Sequence, residues 1–178
     1  MTTSFRIRRG IPADAGALAA LASRTFEETF RHTTTAEDMA AYLARAYGVA
    51  QQGAELADRD TVTFLVEVDG VLAAFAQVRR GEPGEPLDLE APVELYRFYV
   101  DRPWHGQGLA QHLMQRVRAA ARELGGRDLW LSVWSGNERA KAFYAKEGFV
   151  DRAETVFWLG SDRQVDRIFV AALASGAE

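Results

Sequence analysis

The chain is 178 residues long, 48% hydrophobic and 26% charged, with a formal net charge of −4 and no cysteine. This length and composition suit one soluble globular core that buries roughly 70% of the unfolded surface. The missing cysteine excludes disulfides, thiol nucleophiles and Cys-ligated zinc, and the acidic balance argues against nucleic acid and anionic membrane as partners.

The first ten residues, MTTSFRIRRG, have no apolar stretch of the kind a secretory signal carries, and unbroken apolar runs such as Val71 to Ala76 are far too short to span a bilayer. A cytoplasmic protein is expected. Phe5 to Arg9 alternates apolar and polar residues and predicts a first strand. Ile11 to Phe30 is Ala-rich, with Pro12 placed as in a first helical turn, and predicts a helix. Thr34-Thr35-Ala36-Glu37 has capping-box spacing and opens a second helix running to about Gln52. Thr61 to Val68 and Val71 to Arg79 are β-branched and apolar, split by Asp69-Gly70, a strong hairpin signal. Gly81 to Pro92 is rich in Pro, Gly and acids and reads as a loop.

Val93 to Val100 predicts a strand, ended by Asp101-Arg102-Pro103. Leu109, Leu113, Val117, Ala120 and Leu124 then fall at helical spacing up to Gly125-Gly126. Asp128 to Val133 reads as a strand, and Ser135 to Glu138 as a second capping box. The helix behind it ends at Glu147-Gly148, where glycine fits a left-handed cap. Val150 to Leu159 and Arg163 to Ala172 give the last strands, and Ser175 to Glu178 a frayed tail. The order β-αα-β-β-β-α-β-α-β-β describes one α/β (α+β) domain over residues 1–174, with a mixed sheet of about seven strands and about four helices.

The densest chemistry lies in Trp104-His105-Gly106-Gln107-Gly108-Leu109-Ala110, between a strand end and an amphipathic helix. The glycines allow a tight turn and close backbone approach, and the unpaired N–H groups of a helix start form an anion site suited to a pyrophosphate. A glycine-rich turn without a ligand is the alternative. GxGxxG would need glycine at Gln111, and a P-loop would need lysine where Leu109 stands, so neither fingerprint is present.

His105-xx-Gly108-x-Ala110 resembles the pyrophosphate loop of the GNAT superfamily of N-acetyltransferases, written Gln/Arg-xx-Gly-x-Gly/Ala, and departs from it at His105. Asn137-xx-Ala140-xx-Phe143-Tyr144-xxx-Gly148-Phe149 resembles that superfamily's C-terminal block. Thr25 to Phe30, Glu37-Asp38-Met39, Tyr42-Leu43, Leu95 to Val100, Trp130 to Phe149 and Leu159 to Asp166 are similar to the bacterial Pai-type spermidine/spermine N-acetyltransferases.

The resemblance implies a GNAT-like fold and transfer of acetyl from acetyl-CoA directly to an amine, with no metal. It implies a polyamine or other small amine as acceptor. It places the cofactor on the main chain of Phe98, Tyr99 and Val100, on the loop His105, Gly106, Gln107, Gly108, Leu109 and Ala110, and on Asn137 and Tyr144. Tyr144 would be the general acid, since a phenol of pKa ~10 holds its proton at neutral pH. As a core residue it would do none of this. Relatives often carry a base glutamate where Tyr96 stands; Glu94 lies two residues earlier on the same side of an ideal strand and is the candidate base, or else a solvated carboxylate. Asn137 could equally be a plain first-turn residue. Arg116, Arg118 and Arg122 read as a solvated helix face, with a phosphate contact from one of them as the alternative. The loop acids Glu82, Glu85, Asp88 and Glu90, with Glu27-Glu28 and Glu37-Asp38, suggest attraction of a cationic polyamine. Acetylation of a protein N-terminus or lysine, and a non-catalytic acetyl-CoA-binding regulatory module, stay open, as does a homodimer.

Overall fold

A computed structural model of the protein describes residues 4–174. The expected tail, Ser175 to Glu178, lies outside them. A seven-stranded sheet runs in the order β1-β2-β3-β4-β5-β7-β6, built from β1 (Phe5–Arg9), β2 (Thr61–Val68), β3 (Val71–Arg80), β4 (Pro92–Val100), β5 (Asp128–Trp134), β6 (Val150–Leu159) and β7 (Asp162–Ala172). All neighbours are antiparallel except β4 and β5. The sequence-predicted strands therefore all form, within a residue or two at each end.

Helices cover both faces. On one, Leu18, Leu21, Phe26 and Phe30 of α1 (Ala15–Phe30) and Met39 of α2 (Ala36–Ala46) bury Leu65, Phe75 and Leu159. On the other, Leu113, Val117 and Ala121 of α4 (Leu109–Glu123) pack on Phe64, Val66, Leu129 and Leu131. Tyr144 of α5 (Glu138–Lys146) joins this second layer. Because both faces are covered, β2 and β3 are buried over nearly their whole length, which is why they read as continuous apolar runs.

The expected second helix is broken. It ends at Ala46, and α3 (Val49–Ala57) starts afresh after Gly48. A Cβ at Gly48 would stand 2.7 Å from the Ala44 carbonyl oxygen, so only glycine lets the chain fold back this closely. The fully buried Gln52 holds the corner, its Nε2 donating to the Ala46 carbonyl at 2.9 Å. Helix caps also sit slightly off their expected places. Thr35 caps α2 by accepting from the Asp38 amide at 3.1 Å. Asn137, not Ser135, caps α5, accepting from the Ala140 amide at 3.1 Å.

α3 also anchors β4. The register against β3 slips between Gln77 and Val78, leaving Tyr96 as the extra residue of a β-bulge. Arg97, only 6% exposed, is held there by the Glu55 carboxylate, by Gln77 Oε1 at 2.7 Å and by the Tyr96 hydroxyl at 3.1 Å. Its guanidinium also lies 4.7 Å from the Tyr47 ring centroid. Removing one partner of such a buried pair strands a charge in the interior. Glu55→Ala is therefore expected to lower unfolding free energy by about 3 kcal/mol in urea titration, with Glu55→Gln losing less because it keeps an acceptor oxygen.

Candidate active site

The parallel ladder between β4 and β5 is short. It pairs only Pro92 to Glu94 with Asp128 to Trp130. Beyond Glu94 and Trp130 the strands diverge, and the β5-facing main chain of Tyr96 to Val100 has no strand partner among the described residues. The gap opens into a cleft of about 1020 Å³, walled by β4 from Glu94 to Val100, by β5 from Leu131 to Trp134, and by parts of α1, α4 and α5.

At one end of the cleft the chain leaves β4 through a turn of 3₁₀ helix, Arg102–Trp104, and enters α4. Gly106 and Gly108 take φ of 77° and 83°, a left-handed conformation that side-chain-bearing residues resist, and both have open space where a Cβ would project. Gly108 is the N-cap of α4, and no side chain caps the helix. The first-turn amides of a fifteen-residue helix are thus left for a ligand. Arg102, Arg139 and Lys146 also line the cleft and add positive charge, Arg139 directly beside His105 of the loop.

His105 ties the loop down. Its Nε2 lies 2.7 Å from the Val100 carbonyl oxygen, and its Nδ1 contacts the Arg139 guanidinium. A guanidinium can only donate, so Nδ1 accepts and Nε2 carries the proton to Val100. The residue that departs from the superfamily pattern therefore works within the protein, joining β4, the loop and α5. Leu109 is buried in the core under the helix start, and the cleft reaches Ala110. Gln107 does not line the cleft; its side chain turns back to the Pro103 carbonyl oxygen at 3.0 Å.

Tyr144 is 7% exposed, among the rings of Phe98, Phe143, Phe149 and Phe169, at centroid distances of 6.3, 5.5, 5.6 and 6.4 Å. Burial pushes its pKa well above the usual phenol range, so it stays protonated across the neutral range. Among the described residues its hydroxyl makes no hydrogen bond, and Tyr144 lines the cleft. Asn137 lines the cleft as well; its Oδ1 caps α5, leaving the Nδ2 amide group over. Phe98 stacks on Phe143 at 5.6 Å, and Tyr99 on Phe75 at 5.6 Å from the opposite face of β4. Burial raises the Tyr99 phenol too.

Glu94 sits where the ladder ends and lines the cleft, ion-paired to Arg79 at 2.6 Å. Because of the bulge at Tyr96, Glu94 shares its face with Arg97 and Tyr99, while Leu95 and Phe98 face α4. The other expected acids are elsewhere. Glu82, Glu85, Asp88 and Glu90 do not line the cleft, and Glu90 pairs with Arg127 at 3.2 Å. Their loop instead lays Leu87 and Leu89 on Trp130, Ile168 and Val170. Asp38 accepts from the Ser161 amide and hydroxyl at 3.2 and 2.9 Å, latching α2 to the β6–β7 turn. Only Glu28 of the two N-terminal acid pairs reaches the cleft.

Arg118 and Arg122 are structural ties, donating to the carbonyls of Glu147 and Ala174, and none of the three α4 arginines lines the cleft. Trp134 lines the α1–α2 side of the cleft beside residues that sequence reasoning did not assign: Ser132, Asp166 and the rings of Phe26, Phe30, Tyr42 and Phe157. One signal was available. Gln164 and Asp166 break the inward apolar phase that Ile168 and Val170 keep in β7. Among the described residues there is no cluster of three or more His, Asp or Glu able to hold a metal, and no helix is long and apolar enough to cross a membrane.

The Acetyltransferase (GNAT) family model matches residues 18–149. An uncharacterized N-acetyltransferase from the pepI 3' region of Lactobacillus delbrueckii subsp. lactis is 31% identical over 96% of this chain and 99% of its own length. One from Mycobacterium tuberculosis is 32% identical over 90% of this chain and 98% of its own. The fold is similar to that of PaiA N-acetyltransferase from Thermoplasma acidophilum, solved in complex with coenzyme A, with a TM-score of 0.78, 18% identity, and coverage of 95% of this chain and 99% of that one. The ribosomal-protein-S18-alanine N-acetyltransferase of Escherichia coli aligns with a TM-score of 0.69 at 19% identity, over 98% of this chain and 97% of that one.

Proposed function

Since the chain belongs to the GNAT acetyltransferase family, an N-acetyltransferase family dependent on acetyl-CoA, we propose that it acetylates a small primary amine, with polyamines the favoured class, in the gap between β4 and β5. The observation that carries this reading is the ladder that stops at Glu94 and Trp130, leaving strand-edge main chain exposed beside a glycine loop and an uncapped helix start. These features fit the donor: open backbone amides in a cleft that Arg102, Arg139 and Lys146 also line suit a pyrophosphate, and a slot between strands suits an extended pantetheine arm. The likeness to a fold solved with coenzyme A supports the same placement.

Acetyl-CoA supplies an activated thioester; the rest falls to this chain's groups. The amides of Gly106, Gly108, Leu109 and Ala110 hold the phosphates. The main chain of Phe98, Tyr99 and Val100 aligns the arm and polarises the acetyl carbonyl, and the Nδ2 of Asn137 hydrogen-bonds the arm from the opposite wall. Glu94, directly or through a water, takes the proton from the attacking amine nitrogen. The C–N bond forms as the C–S bond breaks, and Tyr144 gives its proton to the departing sulfur. With the phenol's pKa raised, that transfer needs a proton return, which the proton shed by the amine provides. The aromatic wall and the carboxylates of Glu28 and Asp166 support a cationic acceptor entering from the α1–α2 side.

Gly108→Val forces a branched side chain into a left-handed backbone at the phosphate site. It should abolish the rise in melting temperature that acetyl-CoA gives the wild type. A folded variant stabilised as much as wild type overturns the placement. Tyr144→Phe removes one unbonded hydroxyl and keeps the ring, so it should melt no lower than wild type and bind acetyl-CoA as well, while kcat falls about 10²-fold. Wild-type turnover in single-turnover assays removes Tyr144 from the chemistry.

A further inference from the structure

Asp166 is a carboxylate without a counterion in the wall of a cleft. It is 6% exposed, and Ser132 Oγ donates to its Oδ2 at 2.8 Å. Its Oδ1 accepts no hydrogen bond, and no ion pair reaches it among the described residues. The other buried charges of this fold are compensated: Arg97 has Glu55, and Asp101 has Arg24 at 2.7 Å. A carboxylate left alone in the interior is costly, and burial accordingly raises its pKa. The surroundings suit an organic cation. Tyr42 stacks on Phe26 at 4.7 Å and meets Phe157 edge-on at 5.5 Å, and Trp134 lies 5.7 Å from Phe30. Such ring faces attract alkylammonium groups.

The sheet order fixes which part of a ligand could reach Asp166. The gap lies between β4 and β5, whereas Asp166 stands on β7, paired with Trp134 across β5. One strand spacing, roughly 4.8 Å, therefore separates its backbone from the strand that borders the gap. A nitrogen reacting in the gap and a cation held at Asp166 are different groups of one molecule.

We propose that Asp166, buttressed by Ser132 and walled by aromatic rings, is the specificity-determining residue for the acceptor: it binds a second, non-reacting cationic group of the amine. The inference rests on the reading that the acceptor amine enters this cleft. It makes the acceptor an amine with another positive charge a few bonds away, such as a diamine. The counterion missing from the protein is then supplied by the substrate.

The experiment compares 1,4-diaminobutane with butylamine at saturating acetyl-CoA, in wild type and Asp166→Asn, following free thiol. Wild type should prefer the diamine in kcat/KM by about tenfold or more, and the variant should lose that preference through KM. Asp166→Asn is expected to melt no lower than wild type, since it removes an uncompensated buried charge; Asp166→Ser, smaller and neutral, should lose the preference alike. A preference that survives in both variants overturns the proposal, as does a wild type with no preference. A second readout is independent of turnover. Diaminobutane, and not butylamine, should raise the melting temperature of wild type and fail to raise that of Asp166→Asn. Equal shifts in the two proteins overturn the role of Asp166. A wild type that binds the diamine in this way and acetylates no amine overturns the acetyltransferase reading alone.

Discussion

Everything at this site depends on the early end of one parallel ladder. β4 and β5 pair through Glu94 and Trp130 and then part. Diverging strands leave polar main chain unsatisfied in the interior, and such groups need partners. The protein tolerates the divergence because β4 is secured from elsewhere. The bulge at Tyr96 bends it, Arg97 pins it to α3 through Glu55, and His105 fastens its last carbonyl to the glycine loop. Antiparallel pairing to β3 continues to Val100, so one edge of β4 is fully engaged while the other is presented.

The same opening divides the work between the two faces of the sheet. Tyr144, Phe143 and the start of α4 lie with the α4 layer, where the donor's phosphates and thioester are proposed to sit. Phe26, Phe30, Tyr42 and Phe157 lie with the α1–α2 layer. On the proposed function, a reagent on each side of the sheet meets in the gap at the level of Phe98 to Val100. The buried tyrosines fit this division: apolar packing keeps Tyr99 and Tyr144 protonated, able to donate hydrogen bonds.

Local patterns in the sequence carried much of this. Each strand was legible because apolar runs and alternation are bounded by clear turn residues, Asp69-Gly70 and Gly125-Gly126 among them. The glycine loop was legible because left-handed backbone at Gly106 and Gly108 admits few other residues. The α2–α3 corner was not, because Gly48 is required by the approach of Ala44, a contact that exists only after folding. The bulge at Tyr96 was also hidden, and with it the face on which Glu94 lies. The acidic loop misled for a related reason: composition shows charge, whereas location depends on Leu87 and Leu89 docking on Trp130, away from the cleft. The polar break at Gln164 and Asp166 in β7 was readable, but the lack of a counterion at Asp166 shows only once β5 and β7 pair and no cation comes with them.

Amide hydrogen exchange with and without acetyl-CoA tests the central claim most directly, because the claim concerns main-chain groups. Binding should slow exchange in two separate stretches at once, the free edge of β4 from Phe98 to Val100 and the loop and helix start from Gly106 to Gln111. Protection confined to the loop, or falling on neither stretch while acetyl-CoA is demonstrably bound, would contradict the account of the opened ladder as the donor site.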